Sequence, residues 1–202
     1  NHTLGAGGAA PSDVTGFRQF VGHGARVLIE RAYHAQRRPL PVNEHDRLFA
    51  LFLEHYGANI PGQSKPFPGV VEALDRFRGA GYLLAVCTNK TEDFSRRLLA
   101  GLGMSGYFEA ICGQDTFAFR KPDPRHLTET ILLAGGSPET SVMVGDSRTD
   151  IDTAKAAGIP VVAVDFGYTD RHVREFEPSI VISHFDELTV ALAERLISSA
   201  QG

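Results

Sequence analysis

The sequence predicts an α/β protein, a doubly wound parallel sheet preceded by a small α-helical unit. Three observations lead there. From residue 66 onward, short apolar runs alternate with helical patterns. The runs are rich in β-branched residues and lack polar alternation, as expected of strands covered on both faces. Ahead of residue 66 the pattern is helical. Strands alternating with helices imply right-handed crossovers in a parallel sheet, which takes its ligand outside the carboxyl ends of its strands.

The elements follow in order. The chain begins at Asn1, in what reads as the end of a helix (Asn1-His2-Thr3-Leu4-Gly5), so residues upstream are expected. Gly22-His23-Gly24 opens a helix marked by Val27, Leu28, Ile29 and Ala32. Leu48, Phe49, Leu51, Phe52, Leu53 and Tyr56 mark another, stopped by Gly57. Pro61 to Pro68 is rich in proline, glycine and polar residues and reads as a linker. The division is therefore residues 1–65 and residues 66–202. In the second part, runs of strand length are Tyr82–Cys87, Phe108–Cys112, Ser141–Val144, Val161–Val164 and Ile180–Ile182. Helical patterns occupy Val70–Ala80, Thr91–Leu102, Pro124–Ala134, Thr149–Ala157 and, more weakly, Asp170–Glu175, and Asp186–Ser199 closes the chain.

Bulk properties exclude several classes. The chain has 202 residues, 43% hydrophobic and 22% charged, enough to bury a sizeable core. Net charge is −4 and the basic residues are scattered, so no nucleic-acid footprint is visible. No apolar run approaches the ~18 residues that would span a membrane. The two cysteines, Cys87 and Cys112, each end an apolar run and read as buried free thiols. That pattern fits a reducing, cytoplasmic compartment.

Chemistry-bearing residues fall at strand ends. Val144-Gly145-Asp146 leaves a strand through a glycine that allows a tight turn, and Asp150 lies one helical turn on, able to face the same way. Two carboxylates beside a cleft suit Mg²⁺; an N-cap with a solvated acid explains the same residues. Thr88 and Asn89 end another strand, placed either to hydrogen-bond phosphoryl oxygens or to cap the next helix. Lys121 stands before Pro122, which restricts it to extended backbone and could aim its charge. Each signal alone has a plain structural explanation. A hydroxyl, a lysine and an acid pair at successive strand ends are improbable as three unrelated caps.

This order, an apolar strand with Thr88-Asn89, then Lys121-Pro122-Asp123-Pro124, then Gly145-Asp146-Ser147-x-x-Asp150, resembles motifs two, three and four of the haloacid dehalogenase superfamily. Within it the chain resembles the phosphoglycolate phosphatase family, through Phe20-Val21-Gly22-His23-Gly24-Ala25-Arg26, Pro66-x-Pro68-Gly69-Val70, Gly113-x-Asp115-Thr116 and Ala154-x-x-Ala157-Gly158. The resemblance runs from about residue 17 to the end. It implies a Rossmann-like core over 66–202 and a helical cap over 1–65. It also implies hydrolysis of a small phosphomonoester through an aspartyl-phosphate, with Mg²⁺. Thr88 and Asn89 would bind the phosphoryl group, and Lys121 would steady the phosphate and the nucleophile. Asp146 would ligate the metal and Asp150 would support it. In the cap, His23, Gly24 and Arg26 are the candidates for substrate selection, with Arg26 able to pair a substrate carboxylate; a glycine-rich helix start with a solvated arginine explains them equally. The expected partner is a small phosphorylated substrate, and a homodimer is allowed.

The chain departs from the family in one respect. The family's first motif, Asp-x-Asp-Gly-Thr, supplies the nucleophile, the acid–base residue and a metal ligand, and no Asp-x-Asp-Gly occurs here. Covalent catalysis requires a nucleophile, so these 202 residues alone are expected to be inactive. In this fold the missing strand would lie between the strands ending at Thr88 and Gly145. Its loss should leave neighbours roughly 10 Å apart with unpaired backbone groups. A hole of that kind should not persist: the strand belongs upstream, or the sheet closes another way. Rival readings are a β-phosphoglucomutase-like enzyme and a non-catalytic protein that binds a phosphorylated ligand. A phosphonoacetaldehyde-hydrolase-like activity needs a cap lysine, and residues 1–60 contain none.

Overall fold

The computed structural model describes residues 1–13, 25–169 and 171–201. His23 and Gly24 therefore lie outside the described residues. The helical unit consists of α1 (His2–Ala6), α2 (Ala25–Ala35) and α3 (His45–Ala58). They pack around Leu4, Ile29, Ala32, Tyr33 and Leu48. Gly57 does not stop α3, which runs on to Ala58. The glycine lets the helix press against its neighbour: a Cβ there would sit 3.0 Å from a ring carbon of Phe94.

The α/β part begins at α4 (Val70–Gly79), whose N-cap Gly69 has φ 78°, a left-handed conformation that favours glycine. Then follow β1 (Ala85–Cys87), α5 (Glu92–Gly101), β2 (Ala110–Cys112), α6 (Pro124–Leu133), β3 (Met143–Gly145), α7 (Arg148–Ala156), β4 (Val161–Val164), β5 (Ile180–Ile182) and α8 (Val190–Ala200). Each expected strand is present, the first three shorter than their apolar runs. The weak helical pattern at 170–175 is a single 3₁₀ turn, Val173–Phe176.

All pairings among the described strands are parallel. Alternation along β4 shows why its run is continuously apolar. Val162 and Val164 pack with Ala73 and Phe77 of α4 and Leu192 and Ala193 of α8. Val161 and Ala163 face the other way, onto Leu127 of α6 and Ile151 and Ala154 of α7. Both faces are covered, as the sequence predicted.

Of the two expected alternatives, an upstream strand or a sheet closed another way, the second is not seen among the described strands. The described strands form two sheets, β1-β2 and β3-β4-β5, with no pairing between β1 and β3. Between them lies a cavity of about 1020 Å³, lined by Leu84 to Cys87 on one side and Ser141 to Val144 on the other. Leu83 and Val144 are left exposed beside it.

Candidate active site

The strand ends bring four of the sequence-predicted residues together. Lys121 follows the long loop after β2, and its peptide bond to Pro122 is cis. Asp123 then caps α6, accepting from the Arg125 backbone N–H at 3.0 Å, with Pro124 in the first turn. The loop is tied to β1, because Asn89 Nδ2 donates to the Lys121 carbonyl at 3.0 Å. The lysine side chain is buried. Its Nζ donates to the Cys87 carbonyl at 2.7 Å and to Asp150 Oδ1 at 2.6 Å.

Asp150 is held on both oxygens. Oδ2 accepts from the backbone N–H groups of Asp146 and Ser147, each at 3.1 Å, and from Ser147 Oγ at 2.7 Å. Ser147 Oγ accepts in turn from the Asp150 N–H at 3.3 Å, so the pair forms a capping box at the start of α7. Burial alone would push this carboxyl up. The Lys121 ammonium and the bonds from Ser147 outweigh it and hold the group below the usual carboxylate range. Gly145 permits the arrangement, since a Cβ there would sit 2.3 Å from Asp150 Cβ.

Asp146 is held on one oxygen. Its Oδ2 accepts from the Tyr168 N–H at 2.8 Å, and Oδ1 takes no bond from another described residue. Burial pushes its carboxyl up, and the Tyr168 N–H only partly offsets this, with Asp150 adding repulsion. The segment after β4 must come very close to reach it: a Cβ on Gly167 would sit 2.2 Å from Asp146 Cβ. Tyr168 and Gly167 were not singled out from the sequence. A glycine just past the tip of the strand paired with β3 is the signal that would have found them.

Thr88 Oγ1 accepts from the Lys90 N–H at 3.1 Å, which leaves its own proton free to donate. Asn89 Oδ1 is buried and has no partner, alone among the described buried side-chain nitrogens and oxygens. Beneath β1, fully buried His126 joins both strands, with Nδ1 3.3 Å from Cys87 Sγ and Nε2 2.9 Å from the Gly113 carbonyl. The carbonyl fixes the proton on Nε2, so Nδ1 accepts from the thiol. Burial lowers the His126 pKa and raises that of Cys87 to about 11, so both are neutral supports at neutral pH. The run Gly113-x-Asp115-Thr116 is a brace of the same kind. A Cβ on Gly113 would sit 2.2 Å from the Glu92 nitrogen, whose N–H donates to Asp115 Oδ1 at 2.8 Å.

Arg26 is not joined to this cluster by any contact described. It pairs with Asp46 at 2.8 Å and lies over the Phe49 ring, both within the helical unit.

Magnesium binds through one or two carboxylates and keeps several waters. Asp146 fits, offering one unclaimed carboxylate oxygen at a strand tip. Asp150 offers none, because Lys121 and the α7 capping box engage both of its oxygens; it acts on the site through those contacts. Among the described residues no group of three acidic, histidine or cysteine side chains could hold a metal. No described helix is long and apolar enough to cross a membrane.

Residues 1–164 match the family model described as haloacid dehalogenase-like hydrolase. A phosphoglycolate phosphatase of Mesorhizobium japonicum is 70% identical over 200 residues, 99% of this chain and 88% of the relative. One from Agrobacterium fabrum is 50% identical over 198 residues, 98% of this chain and 85% of the relative. Among solved structures, a predicted phosphoglycolate phosphatase from Haemophilus somnus superposes with a TM-score of 0.85 at 27% identity, covering 93% of this chain and 86% of that one.

Proposed function

The chain belongs to the haloacid dehalogenase-like hydrolase family, and from that premise we propose that it is the phosphate- and magnesium-binding part of a phosphatase for a small phosphorylated acid of the 2-phosphoglycolate kind. The observation that carries this reading is the buried Lys121 ammonium. It is fixed between the ends of β1 and β3 by Asp150 and the Cys87 carbonyl, with Thr88 and Asp146 at the flanking strand tips. The names of the close relatives supply the substrate class.

In the proposed reaction the Lys121 ammonium is paired with the Asp150 carboxylate. An ammonium has three donors; two are used here, and the third is for a phosphoryl oxygen. The Thr88 hydroxyl donates to a second oxygen of the same group. Asn89 fixes the lysine loop through one N–H of Nδ2 and so helps to position the lysine. Magnesium, held by Asp146 Oδ1, would supply further stabilisation of the charge on the transferring group.

The nucleophile is assigned to an Asp-x-Asp strand lying in the cavity between β1 and β3. Both flanking strands are apolar there and unpaired with each other, as the neighbours of an inserted parallel strand would be. Its first aspartate would attack phosphorus, forming an aspartyl-phosphate, while the second gives its proton to the leaving oxygen to release the alcohol; the second would then take a proton from the water that frees phosphate and regenerates the first carboxylate. The unpartnered Asn89 Oδ1 is an acceptor that an N–H of such a segment could satisfy. The helical unit would act as the cap that shapes the substrate pocket.

The test is phosphate release from 2-phosphoglycolate with Mg²⁺ by the full chain carrying that strand. Asp146→Ala is expected to lower kcat on the order of 10²–10³-fold, the cost of losing one transition-state charge stabiliser. Activity unchanged by the substitution would defeat the site assignment.

A further inference from the structure

Lys90 has no role in the scheme above. It lies two residues beyond Thr88, on the same strand end, and its backbone is held on both sides: the N–H donates to Thr88 Oγ1 at 3.1 Å and the carbonyl accepts from Gln114 N at 3.0 Å. The side chain is partly buried and crosses to the helical unit. Nζ donates to the Tyr56 hydroxyl at 2.5 Å and lies 4.4 Å from the centre of that ring. Tyr56 is itself fixed, edge-on against Phe94 of α5 at 5.4 Å and stacked on Phe52 at 5.8 Å.

The contrast with Lys121 is one of charge. Lys121 has a carboxylate at 2.6 Å. Lys90 has none among the described residues, and its partners are a neutral phenol and an aromatic face. A cation drawn partly out of water without a counter-ion is costly, and cation–π contact offsets only part of that. The ammonium is thus left with donors and charge for an anion, on a side chain that springs from the Thr88 strand end, and the proposed substrates carry two anionic ends.

We propose that Lys90, held by Tyr56, is the subsite for the second anionic group of the substrate, the carboxylate of a short phosphorylated acid. The assignment deepens the phosphatase reading and rests on it. Thr88 and Lys121 take the phosphoryl end, while Lys90, fixed to the same strand tip, takes the other. Selection then depends on one cation set at a fixed distance from the phosphate, carried by the core and oriented by the cap. Arg26, already neutralised by Asp46, is replaced in the role the sequence had suggested for it.

The test compares two phosphomonoesters, 2-phosphoglycolate and ethyl phosphate, which lacks the carboxylate, on the full chain with Mg²⁺. Lys90→Gln should lower kcat/KM for 2-phosphoglycolate, chiefly through KM. The loss should exceed that on ethyl phosphate by roughly 10–100-fold, the worth of one charge-assisted hydrogen bond. Lys90→Arg should recover part of that difference, and Tyr56→Phe should move the ratio between the substrates much less. Equal losses on both substrates would overturn the assignment. So would Tyr56→Phe reproducing the whole shift, which would make the lysine a clamp between cap and core. Hydrolysis of neither substrate by the wild-type chain would instead defeat the phosphatase reading beneath it.

Discussion

The two sides of the strand-end region differ in how complete they are. Around Lys121 nearly every polar atom is answered: the ammonium has a carboxylate and a carbonyl, Asp150 has four donors, and Asp146 has a backbone N–H. Between β1 and β3 the reverse holds, an apolar cavity with two strand edges that bond to nothing across it. The Lys121–Asp150–Asp146 arrangement is held by helix caps and loop contacts among the described residues. A buried charge cannot be left unpaired, whereas an apolar cleft costs only lost packing and burial.

The largest effect should come from breaking the complete side. Lys121→Met leaves Asp150 buried without its cation, and unfolding in urea should show a loss of about 3–5 kcal/mol. Adding Asp150→Leu should recover part of it, limited by the lost capping box. A loss below about 1 kcal/mol, the worth of an exposed pair, would place the two groups in solvent.

A smaller effect sharpens the incomplete side. Val144→Lys falls on the exposed edge of β3, so in the 202-residue chain it should change stability by no more than about 0.5 kcal/mol. In a chain that carries the Asp-x-Asp strand the same lysine would be buried, and the cost should rise to about 1–3 kcal/mol. Equal urea midpoint shifts in the two chains would argue that nothing enters the cleft.

The smallest expected effect is on pH. The folded pKa of His126 is depressed below the unfolded value of about 6.5. Its contribution is therefore complete above about pH 6.5 and is lost as pH falls through the folded value. Asp150, also depressed, behaves likewise further into acid, below about pH 4. Asp146 is raised and works in the opposite sense, its share present in acid and lost as pH rises through the folded value. Urea midpoints measured from pH 7.5 to 5 should fall with acidity in the wild type and flatten in His126→Phe. An unchanged slope in the variant would assign the acid sensitivity elsewhere.

The strand–helix order was legible because β4 is covered on both faces and its neighbours follow the same rule. Lys121, Asp146, Asp150 and Thr88 were legible because each stands at a strand end beside a turn or helix start. What the sequence hid was set by tertiary contact. Gly57 looked like a helix stop and is a packing surface for Phe94. That Asn89 also ties the Lys121 loop to β1, through one of its two amide N–H groups, is set by a contact 32 positions away. Arg26 looked free and is paired with Asp46, twenty positions away on another helix. The Tyr168 N–H reaches Asp146 from a loop that no local pattern connects to it.

The most direct test is to compare phosphate release from 2-phosphoglycolate with Mg²⁺ by the 202-residue chain and by the same chain preceded by an Asp-x-Asp-Gly-Thr strand. The account predicts no release above background from the first and turnover by the second, abolished when the leading aspartate is changed to asparagine. Release by the 202-residue chain at the rate of the extended one would show that the nucleophile lies within these residues, contradicting the reading of the cleft.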